Sequence, residues 1–238
     1  MTIAKPTLTA LLLCALPLLA CDPGEELDTE DDSFRAKGVI PTRDRDLVGW
    51  QEWIFAQPKS TGPLGDMSGE ACADGQSGPI WYLAGTLGGP AERECVMPVG
   101  KQLVFPLVNF FGAIPESYYD TPEAWEAQIG AYESTGEWVL DNTCELTVLL
   151  DGVEVYDDPS ETFVGVYEPF EVSLPDDPDN LAAYFGLVGG TTQALGGGYY
   201  AHLPPLPPGE HSLEFGGSLC SGEQVVFSTH VEYTLIVD

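Results

Sequence analysis

Basic side chains are scarce in this 238-residue chain: 8 Lys and Arg stand against 38 Asp and Glu, a formal net charge of −30. A field of that sign repels nucleic acid and anionic lipid surfaces, so no nucleic-acid partner is expected. Histidine occurs three times, at His202, His211 and His230, and no HExxH or HxH spacing joins them. A histidine-based metal site therefore has little support. GxSxG is absent, and so is the serine-hydrolase elbow it would mark. CxxC is absent, which argues against zinc or thioredoxin-like chemistry. Gly85 and Gly88-Gly89 do not complete a GxGxxG, so a dinucleotide site is not expected. No apolar run reaches the roughly 20 residues that a helix needs to span a bilayer. No repeat of 20–50 residues is visible, which argues against a propeller or solenoid.

What is present begins at the N-terminus. Lys5 supplies a short positive region, and an apolar run from Leu8 to Ala20 follows, interrupted by Thr9. That pattern fits an export signal over residues 1–20. It ends in Leu18-Leu19-Ala20-Cys21, which resembles the lipobox of bacterial lipoproteins. The resemblance implies cleavage before Cys21 and lipidation of its thiol. Cys14 would leave with the signal. Asp22 follows the cysteine, at a position that sorts cargo between membranes in some bacteria. Residues 22–38 are acidic and poor in apolar side chains. Such a segment cannot bury enough surface to offset its ordering entropy, so a disordered tether is expected over residues 21–38, starting at the lipidated cysteine. The protein is thus expected outside the cytoplasm, membrane-anchored in the cell envelope or at the cell surface, with the membrane as partner through its lipid.

Residues 39–238 suffice for one good core and are read as a single domain. The excess of acid extends through it, which suits solubility in salty surroundings. Four cysteines remain there: Cys72, Cys95, Cys144 and Cys220. An even count in an exported chain points to two disulfides, and of three connectivities we expect Cys72–Cys95 with Cys144–Cys220.

Residues 46–56 read as a helix ending before Pro58, with Trp50, Trp53 and Ile54 on one face. Residues 121–133 read as a second helix. Thr121 is its cap, Pro122 its first residue, and Trp125, Ile129 and Tyr132 share a face. Apolar runs at 80–84 and 102–108 read as strands, with Pro106 marking an edge position or a bulge. From Cys144 onward the period is two. A hairpin is expected about Asp151-Gly152, and residues 231–237 alternate as a half-buried strand. Many short strands with Gly and Pro turns predict a mainly β fold: an antiparallel β-sandwich with one or two short helical insertions.

Three stretches, GQSGPIWYLAGTLGG (75–89), ECVMPVGKQLVFPLVN (94–109) and GGYYAHLPPLPPGEHSLEFGG (197–217), resemble segments of uncharacterised secreted bacterial proteins. The last is also similar to the penultimate hairpin of immunoglobulin-like modules, where a Pro-Gly turn joins two strands. The resemblance implies an immunoglobulin-like sandwich and no particular activity.

No residue set emerges as catalytic. With so many carboxylates some pair always faces another, so a carboxylate-dependent hydrolase of extracellular polymers stays as an alternative without a named pair. Tyr199 and Tyr200 are the expected ligand-binding surface, because consecutive strand residues face opposite ways and one must leave the core. His202 shares a face with Tyr200. Asp176, Asp177 and Asp179 form a candidate calcium loop, since Ca2+ takes six to eight oxygens; a calcium-stabilised structural protein is the third reading. No other cofactor is expected. The leading expectation is a non-catalytic envelope module that binds a glycan or a protein partner.

Overall fold

The computed structural model describes residues 44–114, 120–166, 168–181, 183 and 189–238. The signal segment, Cys21 and the tether lie outside the described residues. Two helices and ten strands follow in chain order. They are α1 (Asp44–Phe55), β1 (Ile80–Tyr82), β2 (Gly89–Met97), β3 (Gln102–Ile114) and α2 (Pro122–Asn142). Then come β4 (Thr143–Leu150), β5 (Val153–Glu154), β6 (Phe163–Val164), β7 (Phe170–Leu174), β8 (Gly190–Leu203), β9 (Gly209–Ser221) and β10 (Gln224–Val237).

The strands form two sheets of five. Sheet 1 runs β1-β3-β8-β6, with β7 also on β8; sheet 2 runs β2-β10-β9-β4-β5. The fold is mainly β, as the alternation predicts. It is not wholly antiparallel: β1 pairs parallel with β3, and β2 parallel with β10. The reason is the path of the chain. Sequential strands β1, β2 and β3 alternate between sheets, so neighbours in sequence do not become hairpins. The same holds at Pro207-Pro208-Gly209. Residues 204–208 carry the chain from β8 in sheet 1 to β9 in sheet 2, so this turn joins two sheets and not two paired strands.

Period-two patterning fills two cores. Tyr199, Ala201 and Leu203 of β8 face sheet 2, where they join Phe105, Phe215, Val231 and Leu235. Phe105 and Phe215 meet with ring centroids 4.3 Å apart. Truncating either to Ala would cost about 3–5 kcal/mol. Ala194 and Tyr200 face the opposite way, into a second core with Leu47, Trp50, Ile54 and Phe55 of α1. Trp50 Nε1 donates to the Leu83 carbonyl at 2.9 Å, which fixes the helix over sheet 1.

The second helix is longer than its apolar pattern predicts, running to Asn142. The Thr121 hydroxyl accepts from the Ala124 N–H at 3.1 Å, as a cap should. Only Gly136 and Val139 are buried, so the extension rests on helical propensity more than on packing. Both disulfides form as expected, each with Cα atoms 5.8 Å apart. Cys72–Cys95 fastens the loop before β1 onto β2, and Cys144–Cys220 ties β4 to β9. Asp151 and Gly152 turn the β4–β5 hairpin with φ of 52° and 77°, the left-handed pair that a two-residue turn requires.

Candidate binding site

The site grows from one crossing. β1 ends in sheet 1 and β2 begins in sheet 2, so residues 83–88 must pass between them. Arg93, buried on β2, holds this passage. Its Nη1 donates to the carbonyls of Ala84 (2.6 Å) and Gly85 (3.1 Å) and to the Tyr233 hydroxyl (2.9 Å). Its Nε donates to the Asp66 carbonyl at 2.8 Å. Thr86 anchors the far end: its N–H donates to Thr229 Oγ1 at 3.3 Å, and its hydroxyl donates to the Gly89 carbonyl at 2.8 Å. The Asp66 side chain organises the adjoining loop by accepting from the Ser68 N–H (2.8 Å), the Ser68 hydroxyl (2.7 Å) and the Ala71 N–H (2.9 Å). Burial pushes the Asp66 carboxyl up. The Ala71 and Ser68 bonds, helped by the Arg93 charge, outweigh that and hold it below its ordinary value.

Because β1 and β2 are short, they leave strand edges uncovered. β1 pairs with residues 102–104 of β3, and β2 with residues 229–237 of β10. Among the described residues no strand flanks β3 beyond Val104, or β10 before Thr229, on those sides. A cleft of about 210 Å³ opens there. Gly85, Thr86 and Leu87 of the crossing form one wall, and Leu107, Asn109, Phe110 and Phe111 of β3 the floor. Phe227 and Thr229 of β10 stand on one side, with Trp50, Leu64 and Leu181 on the other. Pro106 enters the floor where the β3–β8 register shifts, between Pro106 and Val108. Opposite this bulge, Gly198 has φ of +127°, and a Cβ there would lie 2.4 Å from the Val108 carbonyl oxygen. Only glycine fits so close an approach.

The cleft is apolar with few polar groups. Asn109 Nδ2 donates to the Tyr200 hydroxyl at 2.9 Å beneath the floor. Leu87 is 55% exposed at the rim, and Val225 and Val226 of the uncovered β10 segment are 54% and 50% exposed. Enclosed pockets for whole small molecules span about 300–1,000 Å³. A cleft of this size suits one or two side chains of a larger partner better than a complete small ligand.

The residues that the sequence nominated lie elsewhere. Tyr199 and Tyr200 are buried, at 2% and 0% exposed, which corrects the expectation of a stacking surface. The reason is that β8 is central in sheet 1 and both its faces are covered, one by sheet 2 and one by α1. Full burial drives the Tyr200 hydroxyl pKa far above its ordinary value, though its bond from Asn109 opposes the rise. His202 is also buried. Its Nδ1 lies 3.4 Å from Asp46 of α1 and its Nε2 3.1 Å from Gln102. This cluster locks α1 to the sheet and presents nothing to a ligand. Pro106 meets both halves of its expectation: β1 pairs only with residues 102–104, so β3 is locally an edge at Pro106, and the β3–β8 register shifts between Pro106 and Val108.

The candidate calcium loop is occupied with internal bonds. Asp179 Oδ2 accepts from the Ser60 hydroxyl at 2.5 Å, and Asp177 Oδ1 accepts from the Asp179 N–H at 2.8 Å. Asn180, not Asp179, caps the following turn by accepting from the Ala183 N–H at 2.7 Å. Among the described residues no group of three His, Cys, Asp or Glu is arranged to hold a metal ion. Asp176, Asp177 and Asp179 are thus better described as a turn than as a calcium cage.

His211 is on the Leu213–Phe215 face, at the rim. Its Nδ1 lies 2.8 Å from Asp151 Oδ2, and its Nε2 lies 3.0 Å from the Pro207 carbonyl. Burial lowers its pKa, but these bonds raise it by more, leaving it above 6.5. His230 is on the solvent face, with Nε2 3.4 Å from Glu232 and 3.6 Å from Glu214. On that face Glu92, Glu232 and Glu214 stand directly opposite one another across β2, β10 and β9. They border a shallow polar groove of about 520 Å³.

Sequence reasoning missed the cleft residues Leu87, Asn109, Phe110 and Phe227. One signal was present: Pro106, which removes a backbone donor inside an apolar strand, marks where the regular ladder breaks.

No family model matches the chain, and no curated protein matches it. Among solved structures it is similar to the cysteine protease inhibitor EhICP2 from Entamoeba histolytica at 12% identity. That match covers 65% of this chain and 95% of the other, with a TM-score of 0.22. A score so low gives the likeness no weight for fold or activity. Among the described residues no helix is long and apolar enough to cross a membrane.

Proposed function

We propose that the chain is a non-catalytic binding module of the bacterial cell envelope, anchored by lipid at Cys21, which engages a protein or glycan partner. The observation that carries the binding reading is the apolar cleft beside β3, with the exposed Leu87 in its lining. Isolated apolar residues on a surface are ordinary, but a concave cluster at an uncovered strand edge is where partners bind. An immunoglobulin-like reading of the scaffold is supported by strand order. The order β1-β3-β8-β6 would match strands A, B, E and D, and β4-β9-β10 strands C, F and G, whereas the parallel β1–β3 pair departs from that antiparallel pattern.

Two experiments test this. Purified wild-type chain and a Leu87→Ser variant are presented to a glycan array and to envelope extracts, with retained species identified. Retention of a defined glycan or protein by wild type, lost in the variant, is expected; no retention at all overturns the reading. For the anchor, Cys21→Ser should abolish lipid labelling and membrane retention, and a variant that stays anchored overturns lipidation there.

The second reading, a carboxylate-dependent hydrolase, has one observation in its favour. Glutamates directly opposed on neighbouring strands put several carboxylates on one face, as glycosidase chemistry requires. Glu92, Glu232 and Glu214 are so arranged beside a groove. Polysaccharide hydrolysis by wild type that disappears in Glu232→Gln would promote this reading over the first.

A further inference from the structure

We infer that the cleft takes an extended, basic peptide segment, which adds as a strand along the uncovered edge of β3 and seats an apolar side chain against Leu87 and Phe227. This inference rests on the binding-module reading and specifies its partner.

The first argument is the backbone. β1 lies parallel to β3 and stops at Tyr82, after which the chain leaves for sheet 2. The strand position that β1 would have continued to fill, alongside residues 107–110, has no paired strand among the described residues. An uncovered edge offers N–H and C=O groups at strand spacing, and only an extended backbone matches them along its length. Exposed strand edges are blunted with Lys or Pro; Pro106 does so at the mouth of the slot, and the residues after it, Leu107 through Phe111, carry no charge.

The second argument is the shape of the slot. It lies between Phe227 on the sheet 2 side and Trp50 and Leu64 on the helix side. A strand placed there would have side chains pointing alternately to each wall, as strand geometry demands. The cleft volume of about 210 Å³ fits anchoring side chains and not a whole sugar ring system. Its polar lining is also thin, whereas saccharides need many hydrogen-bond partners.

The third argument is charge. The chain has 38 acidic against 8 basic residues, and the basic ones in 44–238 are Arg45, Lys59, Arg93 and Lys101. Arg93 is buried, and the Lys101 ammonium is bonded to the Gly78 carbonyl. A field so one-sided speeds encounter with cationic segments and repels acidic ones.

The probe is a capped synthetic peptide of alternating Lys and Val with one central Phe, titrated into the full chain at physiological ionic strength. Two control peptides accompany it: one with Pro at alternate positions, which cannot pair as a strand, and one with the Phe replaced by Ala. The expected result is binding by the first peptide, with slowed amide exchange along residues 107–110. Affinity should fall roughly tenfold for the Ala peptide and for the Leu87→Ser chain, the loss of one buried apolar side chain. Equal binding of the Pro peptide, or slowed exchange only on the glutamate face of sheet 2, would mean simple charge attraction and overturns the inference. If the peptide fails while envelope extracts or the glycan array still give a partner that Leu87→Ser loses, the extended-peptide inference falls and the binding module stands. If both fail, both readings fall. Self-association of the chain through this edge, abolished by Leu87→Ser, would replace the peptide by a second copy and also overturns it.

Discussion

At the scale of single residues, Asp66 organises its own loop and His211 joins the β4–β5 turn to β9, and their effects have opposite pH dependence. Asp66 is held ionised by donors from Ser68 and Ala71. Its folded pKa is depressed, so the stability it contributes is present above its unfolded value of about 4 and is lost as pH falls through the folded value. Asp66→Asn should therefore cost about 1–3 kcal/mol at neutral pH, since charge-assisted bonds become neutral and one amide meets an N–H. Urea denaturation at pH 7 and again near pH 3 checks this; the gap between variant and wild type should close at the lower pH. His211 runs the other way. Its folded pKa is raised by Asp151 and the Pro207 carbonyl, so its contribution is full below about 6.5 and is lost as pH rises through the folded value. Asp151→Asn keeps the left-handed turn, because Asn-Gly suits it, and removes the charge. NMR titration should then find His211 shifted down, with the destabilisation larger at pH 5 than at pH 9.

At the scale of elements, alternation and capping made most strands and both helices legible. Thr121-Pro122 announced α2, Asp151-Gly152 announced the β4–β5 turn, and Val231 to Val237 announced the half-buried end of β10. What stayed hidden were relations between elements. Nothing local in Tyr199-Tyr200 says whether a strand has one face covered or two; that depends on α1, more than a hundred residues earlier. For the same reason the buried Asp46–His202 contact was invisible, since neither residue is unusual in its own segment. The cleft was hidden because it is made of missing pairing, and the sequence records strands without recording where they stop having neighbours. Pairing also produces the row of Glu92, Glu232 and Glu214, in which like charges face each other across adjacent strands. Such pairs destabilise a sheet, so Glu232→Gln should stabilise the fold by about 0.2–1 kcal/mol. Thermal melts at low and high salt test it: the gain should shrink as salt screens the row. A gain that does not respond to salt would point to packing.

At the scale of the molecule, the Cys72–Cys95 disulfide and the Arg93 clamp serve one task, which is holding the crossing between sheets in place. Cys72–Cys95 fixes the loop that carries Asp66 onto β2, and Arg93 on the same strand bonds the carbonyls of Ala84 and Gly85. The consequence is a pair of sheets in which β2 covers most of one edge and, among the described residues, β3 keeps part of its edge open. The central claim is the open edge itself, and amide hydrogen exchange of the unliganded chain tests it most directly. The amides of residues 107–110 that point away from β8 should exchange far faster than those bonded to β8 and than the amides shared by β9 and β10. Uniform slow exchange along both edges of β3 would mean that the position is already filled, and would contradict the account.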